Sequence, residues 1–198
     1  DYNCVNTYIQ YNYSHDNHWF CGIMKRPTRN VIIRYNISQN DTEGIYFYGF
    51  ENAKQARNVH IYNNTHYVSK EFDVQVFPEG RTPLNTLFEN NIFYFEGNGS
   101  WGKNSKGINT KFRNNLYYNI EPHESESNPI TGDPLFSDSG KTGTNIDLNT
   151  MDELAGYQIL PKSPCRNSGL LIENNGGQDI LKNKIKDKAN VGAFSVAK

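Results

Sequence analysis

Two heptapeptides decide the fold: Asn30-Val31-Ile32-Ile33-Arg34-Tyr35-Asn36 and Asn58-Val59-His60-Ile61-Tyr62-Asn63-Asn64. Both have the form Asn, small β-former, x, apolar, x, x, Asn. The same frame occurs at Asn6–Asn12, Asn85–Asn91 and Asn109–Asn115, and successive copies lie 24, 28, 27 and 24 residues apart. Within each copy the alternation has a period of two, as in a strand with one buried face. Thr7, Val31, Val59, Thr86 and Thr110 form one inward column, and Ile9, Ile33, Ile61, Phe88 and Phe112 form the next. Gln10, Arg34, Tyr62, Glu89 and Arg113, mostly polar, are expected to face out.

Further β-rich runs follow the frame, such as Gly44-Ile45-Tyr46-Phe47-Tyr48-Gly49 and Asp73-Val74-Gln75-Val76-Phe77. A period near 25 residues, strands only, and Asn at fixed corners together predict an all-β right-handed parallel β-helix of about five coils. Asn tolerates the left-handed corner conformation, and stacked Asn side chains hydrogen-bond from rung to rung. The chain has 28 asparagines, and ten of them are the framing pairs. Such a composition disfavours helices, because Asn competes for backbone hydrogen bonds.

Of the 198 residues, 20 are Lys or Arg and 21 are Asp or Glu, a balance that argues against a nucleic-acid partner. No apolar run approaches the ~18 residues of a membrane span. The aromatic content of 13% argues against disorder. Cys4, Cys21 and Cys165 form no C-x-x-C pair, which disfavours a structural zinc site. Buried thiols are the expectation, with a Cys4–Cys21 disulfide as the alternative. The repeat covers residues 1–128, and 129–198 are expected to cap the same domain.

That tail contains Asp133-Pro134-Leu135-Phe136, Leu160-Pro161-Lys162-Ser163-Pro164, Asn175-Gly176-Gly177-Gln178-Asp179 and Val191-Gly192-Ala193. Following coils that include Tyr13-Ser14-His15-Asp16-Asn17, it resembles the C-terminal end of right-handed β-helix proteins of the pectate-lyase-like superfamily. Val191 stands where that family often has Ile, and Leu181-Lys182 where it often has Phe-Gly. The resemblance implies a tail closing the C-terminal end of the helix. It also implies a secreted, cell-surface or periplasmic bacterial protein acting on a polysaccharide or oligosaccharide by hydrolysis or β-elimination. Members of the family also serve as binding or structural modules. The family usually has more coils and an N-terminal cap, so missing N-terminal coils of a longer chain are expected.

Enzymes of this resemblance bind glycans across an outer sheet face bordered by loops. The candidate catalytic residues are Asp16, Asp41 and Glu43, with His15, His18 and Lys25 beside them. Carboxylates on neighbouring rungs would lie ~5 Å apart, which suits a retaining glycosidase pair. They would also suit Ca²⁺, which in a lyase neutralises a uronate while Lys or Arg takes the proton. Trp19, Arg34, Tyr46, Tyr48, Tyr62 and Asp73 are the candidate substrate contacts. Tyr46 and Tyr48 are expected to face away from the core because they alternate with Ile45 and Phe47. Asp16 and Asp41 also fit ordinary turn positions.

Overall fold

A computed structural model describes residues 4–24, 28–49, 56–140, 152–185 and 187–195. The chain is a parallel β-solenoid of about four complete turns. The framed repeats form the first sheet: Val5–Gln10, Arg29–Arg34, Arg57–Tyr62, Thr86–Glu89 and Lys111–Arg113, ending on Glu126–Ser127. Its register pairs Thr7 with Val31, Val31 with Val59, Val59 with Thr86 and Phe88 with Phe112. The repeat spacing is therefore the rung spacing. A tight corner leads to the second sheet, which runs from Tyr13–His15 through Ile37–Gln39, Thr65–Val68, Ile92–Phe95 and Leu116–Tyr118 to Ile130–Thr131. The third wall pairs Trp19–Met24 with Gly44–Gly49. Single hydrogen bonds continue it, from Tyr46 N to Val76 O (2.8 Å) and from Phe77 N to Trp101 O (3.1 Å).

The lumen is filled by Val31, Ile33, Val59, Ile61, Phe88 and Phe112 together with a cluster of rings. Phe88 and Phe112 stack at 4.3 Å, and Phe93 and Tyr117 at 5.7 Å. Parallel in-register strands place like residues over like, so one aromatic per rung becomes a stack.

The two framing asparagines have different roles. Asn36, Asn64, Asn91 and Asn115 are fully buried. Each accepts at Oδ1 from both the backbone N–H and the Nδ2 of the preceding rung's Asn, as Asn64 does from Asn36 (3.1 and 2.8 Å). Each Nδ2 also donates to a carbonyl, such as Asn64 to Ile33 O at 3.0 Å. Every polar atom of the amide is satisfied in a place water cannot reach. At the far end Glu126 Oε2 accepts from Asn115 Nδ2 at 2.8 Å, continuing the row where no Asn follows. The left-handed corner position belongs to the residue before this Asn: Tyr11, Tyr35, Asn63, Asn90 and Asn114. The first framing asparagines, Asn6, Asn30, Asn58, Asn85 and Asn109, have positive φ themselves.

The described tail residues lie along the outer face of the second sheet as a lateral cover. Leu154, Tyr157, Ile180, Ala193 and Phe194 pack on Ile37 and Tyr67. Ile159, Cys165 and Val191 pack on Ile92 and Leu116. The outer face of the second sheet is apolar on several rungs, so it needs such a cover. Corner asparagines hold the tail: Asn63 Nδ2 donates to Asn190 O and Gly192 O (2.9 and 3.0 Å), and Asn114 Nδ2 to Ser168 O (2.9 Å). Asn90 both donates to Leu170 O and accepts from its N–H, each at 2.9 Å. All three cysteines are free thiols, and burial pushes Cys21 and Cys165 up to about 12. Among the described residues no helix is long and apolar enough to cross a membrane.

Candidate functional site

The corner between the second and third sheets brings together most of the sequence-predicted acidic and imidazole groups. On the first rung His15 Nδ1 lies 2.9 Å from Asp16 Oδ2, and the Asp16 side chain is 55% exposed. Asp16 has a φ of 52°, matching the 53° of Asn40 on the next rung. It is a turn residue, as one reading of the sequence required, and its carboxylate still reaches solvent. His18 Nδ1 lies 2.6 Å from Glu43 Oε1, joining the first rung to the second. The bonds from Ile45 N to Gln75 O and Tyr46 N to Val76 O place Asp73, also exposed, one rung beyond Glu43. Stacked rungs separate such positions by ~4.8 Å. Trp19 stacks on Phe47 at 4.3 Å beside this row, and the His18 ring lies tilted 5.9 Å from it.

Asp41 belongs to the same corner but points inward. It is 1% exposed and accepts from Ser38 Oγ (2.6 Å), Ser14 Oγ (2.8 Å) and Asn17 N (3.1 Å). Burial raises its pKa, while these donors oppose the rise. Its bonds knit the first rung to the second, so the expected Asp16–Asp41 pair facing a substrate does not form.

Four further site residues are corrected. Tyr46 and Tyr48 face the lumen at 0% and 2% exposure, and Phe47 takes the outer side under the Arg81 guanidinium at 4.6 Å. A period of two says which residues share a face but not which face is inside. The hydroxyls are tolerated inside because Tyr46 Oη meets His66 Nε2 (2.9 Å) and Tyr48 Oη meets Thr86 Oγ1 (2.7 Å). Arg34 and Tyr62 sit on the first sheet, a different wall, and both are buried. Arg34 donates to Gln10 Oε1 (2.7 Å), Tyr62 Oη (2.9 Å) and the tail carbonyl of Asn174 (2.8 Å), so its donors are committed to structure. Lys25 lies outside the described residues.

Ca²⁺ needs several oxygens converging on one point. Asp16, Asp41 and Glu43 are each committed to different partners. Among the described residues no group of three or more His, Cys, Asp or Glu side chains is placed to hold a metal ion. The corner does not fit the cation.

Sequence reasoning passed over a second concavity. A cleft of about 640 Å³ crosses the outer face of the first sheet, floored by Tyr8, Ile32, His60, Leu87 and Lys111. These are the third residues of the five repeats, a column treated there as unconstrained. Their signal was three large apolar side chains, Tyr8, Ile32 and Leu87, at positions that alternation puts outside.

No family model matches the chain. One curated relative aligns with nearly all of it. This chain is similar to a lacto-N-biosidase. That protein, from Bifidobacterium longum subsp. longum, is 31% identical over 209 aligned residues, covering 94% of this chain and 13% of the relative. The chain therefore spans a small part of the relative's length, and the solenoid and its tail together form the shared region.

Proposed function

We propose that this chain is a carbohydrate-active β-solenoid of a glycoside hydrolase, secreted and bacterial, and of the pectate-lyase-like type. The observation behind this assignment is the 31% identity to a lacto-N-biosidase across 94% of the chain. The corner chemistry agrees with it. Glycoside hydrolysis needs two carboxyl groups, one to protonate the leaving oxygen and one to act as nucleophile or to activate water. Asp16 and Glu43 are exposed, stand on neighbouring rungs and each touch a histidine. In this proposal they are the reacting carboxylates. His15 and His18 orient them, Asp73 extends the acidic row, and Trp19 provides the apolar surface on which a sugar ring rests.

Hydrolysis is favoured over elimination because the relative is a biosidase and because Arg34, the basic candidate within the described residues, is bonded away from the corner. The second reading is a binding module without chemistry. The inward commitment of Asp41 favours it, since one carboxylate of the corner is already spent on the scaffold.

The test is reducing-sugar release from a panel of neutral and acidic oligosaccharides, including lacto-series glycans. Hydrolysis by the chain should fall at least about a hundredfold in Glu43→Gln and Asp16→Asn. A product absorbing in the ultraviolet would indicate elimination instead. Binding without turnover would establish the module reading.

A further inference from the structure

The cleft on the first sheet lies on a different wall from the acidic corner and shares no residue with it. Four features give it the character of a built site. Its floor steps by one residue per rung through Tyr8, Ile32, His60, Leu87 and Lys111, four steps that span about 19 Å along the solenoid axis.

The ring at one end is held in place. Tyr8 is 58% exposed, and the Arg34 guanidinium stacks on it at 5.1 Å. Arg34 is itself fixed by Gln10, Tyr62 and the Asn174 carbonyl. Tyr8 is thus a preorganised aromatic platform with one face free of the cation.

The imidazole in the middle is also fixed. His60 Nε2 lies 2.7 Å from Glu89 Oε2, and Glu89 is 2% exposed. Glu89 stays below its usual range: the bonds from His60 and Arg113 outweigh the cost of its burial. An ionised Glu89 accepts the hydrogen bond from Nε2–H and leaves Nδ1 as the remaining polar atom of the ring.

The rim is a row of neutral amides. Asn30 Nδ2 donates to Asn6 Oδ1 (2.8 Å), Asn58 Nδ2 to Asn30 Oδ1 (3.0 Å) and Asn109 Nδ2 to Asn85 Oδ1 (2.9 Å). The row breaks beside His60: Asn85 Nδ2 donates to Ala56 O at 2.7 Å, and no described residue donates to Asn58 Oδ1. Each amide has two N–H donors and two acceptor sites, so the row keeps spare donors and acceptors on every rung.

From this geometry we infer that the cleft is a glycan-binding groove for an extended neutral oligosaccharide of about four sugar units, laid along the solenoid axis with roughly one ring per rung. The apolar floor meets the flat faces of the rings, and the amide row meets their hydroxyls. The rung step is close to the length of one pyranose, so successive rings meet successive rungs: Tyr8, Ile32 and Leu87 offer apolar surface, and His60 and Lys111 offer polar contacts. Among the described lining residues Lys111 is the one lysine or arginine, and the Arg34 guanidinium on Tyr8 is already bonded to the protein, which disfavours a polyanion over the groove's length. The carbohydrate class rests on the function proposed above, whereas the position and shape of the groove do not.

The experiment is ¹H–¹³C NMR titration of the 198-residue chain with neutral tetrasaccharides of the chito-, cello- and lacto-series. The signals followed are the Ile32 and Leu87 methyls, the Tyr8 ring and the His60 ring. At least one series should shift these four residues together. Tyr8→Ala and Leu87→Ser, both at surface positions, should weaken that binding at least about tenfold. Glu43→Gln should bind in the groove as the parent does. Shifts confined to the acidic corner, or unchanged affinity in both groove variants, would overturn the groove and leave the hydrolase proposal standing. Groove shifts without hydrolysis of any glycan would do the reverse. Concentration-dependent dimerisation lost in Leu87→Ser, with no glycan response, would assign the face to a second copy of the chain and overturn the inference.

Discussion

The two asparagine columns differ in burial although they share residue type and spacing. Asn36, Asn64, Asn91 and Asn115 have no solvent contact, and their row is unbroken. Asn30, Asn58 and Asn109 are exposed, and their row is interrupted beside His60. Inside, an amide must find protein partners for every donor and acceptor, so the row is part of the scaffold. Outside, water or a ligand supplies the missing partners, so the row is free to serve as a rim. The same division separates Asp41 from Asp16 and His66 from His18: the buried copy binds coils together, and the exposed copy is available for chemistry.

The largest effect should come from the buried column. Asn64→Ala strands the Asn36 backbone N–H and the Ile33 carbonyl, and it breaks the row in both directions. At about 1–3 kcal/mol for each orphaned group, the loss should reach about 3–5 kcal/mol in urea unfolding. Asn30→Ala should cost less than about 1 kcal/mol. Equal losses in the two variants would erase the distinction between the columns.

The histidines sharpen it by pH. Burial lowers His66 from 6.5 to about 3. Between those values the unfolded chain binds more protons than the folded one. Stability is therefore undiminished above pH 6.5 and falls as the pH drops toward 3, by up to about 1.4 kcal/mol per pH unit. Burial also lowers His123, in the same direction. His66→Gln should flatten this acid limb. Chemical denaturation at a series of pH values from 7 to 4 measures it.

A smaller effect is expected at the Asp41 corner. Asp41→Ala removes the acceptor for Ser14, Ser38 and Asn17 and should cost about 2–3 kcal/mol. The smallest is Asn58→Ala, within about 0.5 kcal/mol of the parent in stability, with a loss seen only in glycan affinity at the groove.

Much of the scaffold was legible because the repeat carries it. The 24, 28, 27 and 24-residue steps are the strand register itself, and Val31, Ile33, Val59, Ile61, Phe88 and Phe112 sit in the lumen as the alternation required. The third wall was misread because Tyr46 and Tyr48 look amphipathic; their inner partners, His66 and Thr86, lie 20 and 38 residues away. Arg34 was taken for a surface cation for the same reason, since the carbonyl that covers it is 140 residues distant. Local pattern is blind to such contacts. Asp16, Glu43 and their histidines were visible as a cluster, but only coil geometry separates them from Asp41.

The division between scaffold and site is tested most directly at that corner, by measuring stability and glycan hydrolysis together in Asp16→Asn and Asp41→Asn. The expected result is a clean split: Asp16→Asn keeps the parent's unfolding midpoint and loses turnover, whereas Asp41→Asn lowers the midpoint and, while folded, keeps most of its turnover. If Asp41→Asn abolishes turnover at unchanged stability, or if Asp16→Asn leaves turnover intact, the exposed carboxylates are not the site and the division is contradicted.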